Sequence, residues 1–377
     1  MKKKLTTPLL LTGIPEAQAD VLYAAGFLAP DEVVVFLRGP QRLLVTSPME
    51  YGRACREVRS VKVISSRELF LSKETVGTPT DWAAALLRRE RVRRCAVPGW
   101  TPVAVVKALE ERGIRVTVEE RALVEERAVK SSLEQTAIRQ AQRAAVAAMK
   151  AAMNALAVAS VGRNNVLRLD GRVLTSERLR TLIETELLMH GCSAAGGTIA
   201  ACGEETADPH GQGAGPLYAH RPIILDIFPR SRKTGYWGDM TRTVVKGTAP
   251  EEIIRMHEAV CTSRRAALAM IHPGADARAI HARVREVFDA KGFQTKLDGK
   301  KPCGFIHSTG HGVGLDIHET PRLSTLGGTL LAGHVITVEP GLYYPGIGGV
   351  RVEDTFVVTE KGWRCLAPLP LGLSLCP

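Results

Sequence analysis

The run His307-Ser308-Thr309-Gly310-His311-Gly312-Val313-Gly314-Leu315-Asp316-Ile317-His318-Glu319 decides how this chain is read. It sets three histidines and two acids among small and apolar residues. Gly310, Gly312 and Gly314 do not make a phosphate loop, because no strand–Gly-x-Gly-x-x-Gly–helix context surrounds them. Histidine, by contrast, is the side chain of metal binding and proton transfer near neutral pH. All ten histidines lie beyond residue 189. The chemistry therefore belongs to the second part of the chain.

Three further segments, two before this run and one after it, carry acids in apolar surroundings. They are Ile223-Ile224-Leu225-Asp226-Ile227, then Gly238-Asp239-Met240-Thr241-Arg242-Thr243, then the pair Val335-Ile336-Thr337-Val338-Glu339-Pro340-Gly341 and Val350-Arg351-Val352-Glu353-Asp354. A carboxylate inside a β-branched strand is costly unless it is paired or metal-bound. Taken singly, each acid reads as solvent-facing or ion-paired. Taken together, Asp226, Asp239, His311, Glu339 and Glu353 supply four carboxylates and one imidazole. Four clustered carboxylates repel one another unless cations neutralise them. An oxygen-rich set with one nitrogen suits two divalent ions of the Mn, Co, Fe or Zn kind, with manganese favoured. Two ions about 3.5–4 Å apart can share and acidify one water. Asp316 and Asp354 read as groups that orient their neighbours.

Composition limits the alternatives. With 377 residues the chain exceeds one ordinary core, so two domains are expected. It is 45% hydrophobic and 24% charged, as a globular protein is. No stretch approaches the roughly 20 apolar residues of a membrane-spanning helix. The net charge of +11 raises nucleic acid as a partner. The excess is spread over both parts, however, and its one cluster, Arg88, Arg89, Arg91, Arg93 and Arg94, lacks aromatic residues that stack bases. It reads as a solvated helix face, so neither nucleic acid nor membrane is expected as a partner. Eight scattered cysteines without a Cys-x-x-Cys fit reduced thiols in a cytoplasmic protein. Met1-Lys2-Lys3-Lys4 followed by Leu9-Leu10-Leu11 imitates a signal peptide, but Pro8, Gly13 and Pro15 interrupt the apolar run. It reads as the first turn and strand of a domain.

The first 125 or so residues alternate strand-like and helix-like segments, the pattern of an α/β layer. Strands are expected at Glu32–Leu37, Arg42–Thr46, Cys95–Val97 and Arg115–Val118, and helices at Tyr51–Val58 and Trp82–Arg91. A boundary near Val129 divides the chain into residues 1–128 and 129–377. Beyond it, Ser131 and Glu134 spell a capping box. The Ala-rich helix that follows shows Leu133, Ile138, Ala141, Ala145, Met149 and Ala152 along one face. Further helices are expected from Ser176 to Gly191, from Pro250 to Pro273 and from Asp276 to Gly292. Strands are expected at Ile223–Ile227, Thr241–Lys246, Val335–Glu339 and Val350–Val358.

The order Asp, Asp, His, Glu, Glu, with the strings His-Gly-Val-Gly-Leu-Asp-Ile-His-Glu, Val-Glu-Pro-Gly-Leu-Tyr, Arg-Val-Glu-Asp-Thr and Gly-Asp-Met-Thr-Arg-Thr, resembles the pita-bread (M24) metallopeptidases. The closest resemblance is to the branch of aminopeptidase P and prolidase. It implies a creatinase/prolidase-like α/β N-terminal domain and an α+β pita-bread C-terminal domain, the creatinase/aminopeptidase fold. It implies Asp226, Asp239, His311, Glu339 and Glu353 as metal ligands, with Asp239 and Glu353 bridging. His210 matches a histidine near the scissile group, and His307 and His318 match two more that help bind substrate and stabilise the tetrahedral intermediate. Arg351 matches an arginine that supports a ligand carboxylate, and Arg322 one at the substrate end. The expected activity is hydrolysis of the Xaa-Pro bond at the N-terminus of peptides by a metal-bridging hydroxide, with Glu339 as proton shuttle. A homodimer acting on proline-containing peptides is expected. The alternatives are an Xaa-Pro dipeptidase, a metal-free creatinase-like hydrolase, a lactonase or phosphotriesterase, and a non-enzymatic binding protein. One departure concerns specificity. Twelve residues separate Asp226 from Asp239, about two more than expected, and Phe228-Pro229-Arg230 replaces the common glycine.

Overall fold

The computed structural model describes residues 7–70, 77–298 and 302–375. The chain divides into two compact units, Met1–Arg127 and Ala128–Pro377. The Lys-rich start and Cys376 lie outside the described residues. The described cysteines are all free thiols.

The first unit is built on a mixed sheet in the order Lys62–Ser65, Gln41–Thr46, Val33–Arg38, Leu9–Gly13, Arg94–Pro98, Arg115–Glu119. Successive side chains on a strand point to opposite faces. Leu9 and Leu11 join a core with Val21, Ala24 and Ala54, whereas Leu10 joins another with Trp82, Leu86 and Leu109. Helices therefore cover both faces, which is why Leu9-Leu10-Leu11 and Val33-Val34-Val35-Phe36 are apolar throughout. One helix runs Pro79–Arg89 and starts three residues before the predicted Trp82. Thr78 and Asp81 form a capping box that fixes the earlier start.

The second unit opens with the predicted capping box. Ser131 N–H donates to Glu134 Oε2 at 2.8 Å, and the helix runs Ser132–Val158. Ile138, Ala141, Ala145, Met149 and Ala152 are buried, but Leu133 is 82% exposed. Leu133 lies five residues before Ile138, about 140° around the helix, so it leaves the buried face. The small alanines let this helix pack closely on the helix Ser176–Met189 and on strands Ile223–Ile227 and Met240–Lys246. Those two strands are the centre of a four-stranded sheet. A five-stranded sheet holds Gly310–Gly312, Val335–Val338 and Asp354–Thr359. It shares a second core with the helices Glu251–Ala269 and Ala277–Ala290.

The predicted strand Val350–Val358 is in fact two strands, Gly348–Arg351 and Asp354–Thr359. The first pairs with Gly341–Tyr344 and the second with Val335–Val338, so the chain changes sheets at Val352-Glu353. The Glu353 N–H donates to Thr241 O at 3.0 Å, which ties the junction to the four-stranded sheet. Glu339 and Asp239 likewise sit just beyond strand ends.

Candidate metal centre and cavity

Those strand ends meet at a cavity of about 540 Å³. It is lined by Asp226, Asp239, His311, Glu339 and Glu353, and also by His210, His307, His318, Arg322 and Arg351. Every residue singled out from the sequence as a ligand or substrate contact thus faces one space. Ligand atoms of Asp239, His311 and Glu353 lie within 4.8 Å of one another.

The backbone brings these groups close. A Cβ on Gly310 would lie 2.1 Å from Thr337 O, and one on Gly312 would lie 2.4 Å from Thr320 O. The Gly-His-Gly string is the signature of strands pressed together around His311. The His311 ring donates from Nδ1 to Gly312 O at 3.1 Å, which leaves the Nε2 lone pair facing the cavity. Nε2 lies 3.5 Å from both Asp239 Oδ2 and Glu339 Oε1.

The carboxyls of this cluster are buried close together and raise one another's pKa. Burial pushes the Asp239 carboxyl well above the usual range, and Glu353, Asp226 and Glu339 push it further. Burial and then Glu353 do the same to Glu339. Glu353 is raised to about 8 by burial and by Asp226. His311 is lowered to about 3 by burial and by His318, which keeps its imidazole neutral. Asp226 Oδ1 and Glu353 Oε1 are buried without a hydrogen-bond donor. Buried carboxylate oxygens without a donor, beside an imidazole lone pair, fit divalent cations held by oxygen-rich donors.

Around Arg351, His307 and Asp239 stand three supporting residues that the sequence left without a role, Tyr343, Thr241 and Gln142. Arg351 Nη2 donates to Asp226 Oδ2 at 2.7 Å, and its Nη1 donates to Tyr343 OH at 2.6 Å. Tyr343 OH in turn donates to His307 Nε2 at 2.9 Å, while His307 Nδ1 donates to Ser308 O at 2.8 Å. Both ring nitrogens of His307 are therefore engaged. Burial, then Arg351, lowers this histidine to about 3, so it is neutral. Thr241 Oγ1 donates to Glu353 Oε2 at 2.7 Å. Gln142, fully buried in the alanine helix, grips the Asp239 backbone. Its Nε2 donates to Asp239 O at 2.9 Å, and its Oε1 accepts from Asp239 N–H at 2.7 Å. Tyr343 and Thr241 stand inside strings quoted above, so a signal for them existed. A glutamine on the buried face of an alanine helix was the only signal for Gln142.

His210 and His318 are exposed to the cavity, and no hydrogen bond to either ring is found among the described residues. The His318 ring packs edge-on against His311 at 4.3 Å. Desolvation, then Arg322 and His210, lowers its pKa. Arg322 carries an exposed guanidinium at the same cavity. Phe228, from the segment after Asp226, adds an aromatic ring to the cavity lining together with Gly196 and Ile199.

The chain is similar to known proteins in sequence and in fold. The model of metallopeptidase family M24 matches residues 136–360. An Xaa-Pro dipeptidase of Pyrococcus furiosus is 39% identical over 170 residues, 45% of this chain and 46% of the relative. An uncharacterised peptidase of Bacillus subtilis is 35% identical over 178 residues, 47% of this chain and 48% of the relative. The matched stretch thus spans about half the length of these curated relatives. Among solved structures, an X-Pro aminopeptidase of Thermotoga maritima superposes with a TM-score of 0.82 at 24% identity, over 98% of this chain and 97% of its own. A prolidase of Pyrococcus furiosus superposes at 0.78 and 25% identity, over 97% of each chain. The fold is therefore the α/β N-terminal domain and pita-bread catalytic domain of that group. With the family model covering the segment that holds all five candidate ligands, the chain belongs to metallopeptidase family M24.

Proposed function

We propose that this protein hydrolyses the Xaa-Pro bond at the N-terminus of peptides in a metal-dependent reaction. The observation that carries the reading is the convergence of four carboxylates and His311 on one cavity, with donorless buried oxygens on Asp226 and Glu353. Asp226, Asp239, His311, Glu339 and Glu353 would hold two divalent cations. The oxygen-rich set favours manganese. When bound, such cations supply Lewis acidity and lower the pKa of a water towards neutrality.

The chain's own residues supply the rest. Glu339 takes the proton of the attacking water and passes it to the leaving amine. His318, neutral in the cavity, donates to the oxyanion that develops on the scissile carbonyl. His210 orients the peptide from the same cavity. His307 has no nitrogen to spare for the substrate and instead closes the wall through Tyr343. Arg351 fixes Asp226 and Tyr343 together.

A second reading is an Xaa-Pro dipeptidase. The guanidinium of Arg322 at the cavity suits the free carboxylate of a dipeptide, and curated relatives carry the name Xaa-Pro dipeptidase. Release of Xaa from an Xaa-Pro dipeptide and from an Xaa-Pro-Yaa-Zaa tetrapeptide, measured in parallel on manganese-loaded and chelated protein, separates the two. Cleavage of the tetrapeptide supports the aminopeptidase, and cleavage of the dipeptide alone supports the dipeptidase. Turnover of neither by the loaded protein would refute both.

A further inference from the structure

We propose that Trp237 is a positioning residue for His318, acting from the hairpin between the two aspartate strands. The proposal rests on the reading of His318 as the donor to the oxyanion. Residues Ile227 to Gly238 close a hairpin: Gly238 N–H donates to Pro229 O and Ser231 N–H to Tyr236 O, both at 2.9 Å, and Arg230 bridges Trp237. Arg230–Ser231 also pairs with Cys192–Ser193, and Tyr236 and Trp237 lie on the returning limb. Tyr236 OH donates to Glu134 Oε1 at 2.8 Å, anchoring the return on the first turn of the long helix. Trp237 then makes two bonds to one loop. Its backbone N–H donates to Gly314 O at 2.9 Å, and its indole Nε1–H donates to Leu315 O at 3.0 Å.

Gly314 and Leu315 are buried and stand midway between His311 and His318. The amides of the same loop are held from the opposite side. Glu319 Oε1 accepts from Leu315 N–H at 2.9 Å and from Asp316 N–H at 3.1 Å, and its Oε2 accepts from Lys130 Nζ at 2.6 Å. Trp237 thus holds the carbonyls and Glu319 the amides, and His318 is the next residue but two after Leu315. A donor to an oxyanion works only when held within about 0.5 Å of its productive place. Among the described residues no hydrogen bond to the His318 ring holds it there. Its place depends on the loop and on its edge-on contact with His311.

Trp237→Phe removes the indole bond while keeping a ring against the cluster of Ile138, Val313, Val335, Val357 and Leu366. The metal-loaded variant is expected to lose about tenfold in kcat, the rate equivalent of one hydrogen bond, with KM and bound metal unchanged. In a His318→Ala background the same change is expected to cost nothing further. Hydrogen exchange of amides 313–318 is expected to quicken in Trp237→Phe, with or without substrate. Trp237→His, which keeps a ring N–H, is expected to recover part of the rate. Tyr236→Phe, on the same hairpin, keeps the ring and loses the hydroxyl bonded to Glu134; it is the control and should leave exchange in 313–318 unchanged. Equal losses in both backgrounds, or wild-type kcat with wild-type exchange, would overturn the proposal. If His318→Ala alone kept full turnover, the reading of the site would be at fault, and the exchange rates would still decide whether Trp237 clamps the loop.

Discussion

Asp354→Asn is expected to destabilise the second unit by about 3 kcal/mol, although Asp354 touches neither cavity nor substrate. Asp354 is 2% exposed and accepts from Arg242 Nη2 at 2.7 Å and Arg264 Nη2 at 2.5 Å. Arg242 is fully buried and also donates to the carbonyls of Thr241, Glu353, Leu369 and Pro370. One guanidinium therefore joins the Asp239 strand, the Glu353 junction and the C-terminal segment. Asparagine keeps the shape but removes the charge, leaving two guanidiniums opposed across a single acceptor. Removing one member of a buried ion pair costs roughly 3–5 kcal/mol. Arg242 retains its four carbonyl acceptors and the Arg264 side chain is 11% exposed, so the low end of that range applies. Urea unfolding followed by circular dichroism measures the loss. The fluorescence of Trp363, whose ring packs at 5.1 Å on Phe356, reports it locally. A loss below about 1 kcal/mol, the level of an exposed pair, would refute the argument that this buried triad carries the sheet junction.

Two further outcomes follow from the packing around the site. His334 is 5% exposed, accepts from Leu331 N–H at 3.1 Å through Nδ1, and is lowered from 6.5 to about 4 by burial and by Lys130. Between those values the unfolded chain binds the proton and the folded chain does not, so stability rises with pH across the window and is lost on acidification. His334→Asn, which keeps an acceptor but cannot titrate, should remove a slope worth about 3 kcal/mol from unfolding free energies measured between pH 4 and 6.5; an unchanged slope would refute this. Gly238→Ala would place a Cβ 2.6 Å from the backbone nitrogen of Gln142, forcing apart the helix and the Asp239 backbone it holds. The expected loss is about 1–3 kcal/mol with weaker divalent-cation binding, and a variant matching wild type in both would show that the close approach is dispensable.

Much of the site was legible because its chemistry is expensive. An acid among Val and Ile, as at Asp226 or Glu353, needs a reason that a surface acid does not. Asp239 and Glu339 repeat the signal, and His311 between glycines completes it. What the sequence could not display was the change of sheet at Val352-Glu353, because β-branched residues continue on both sides of the break. The pairing that causes the break involves strands distant in sequence. The early start of the helix at Pro79 was legible in Thr78 and Asp81 but was masked by the stronger apolar run from Trp82. The engagement of both His307 nitrogens was out of reach, since it depends on Tyr343, which comes from a different hairpin. The tie from Trp237 to Leu315 spans 78 positions and has no local signature.

The central claim is that Asp226, Asp239, His311, Glu339 and Glu353 form one divalent-cation site. Metal content per chain after equilibration with manganese and removal of excess, compared between wild type and Glu353→Gln, tests it most directly. The account expects about two ions per wild-type chain and a clear loss in a variant that remains folded by circular dichroism. Wild-type protein without bound manganese, or a folded Glu353→Gln that retains the full complement, would contradict it.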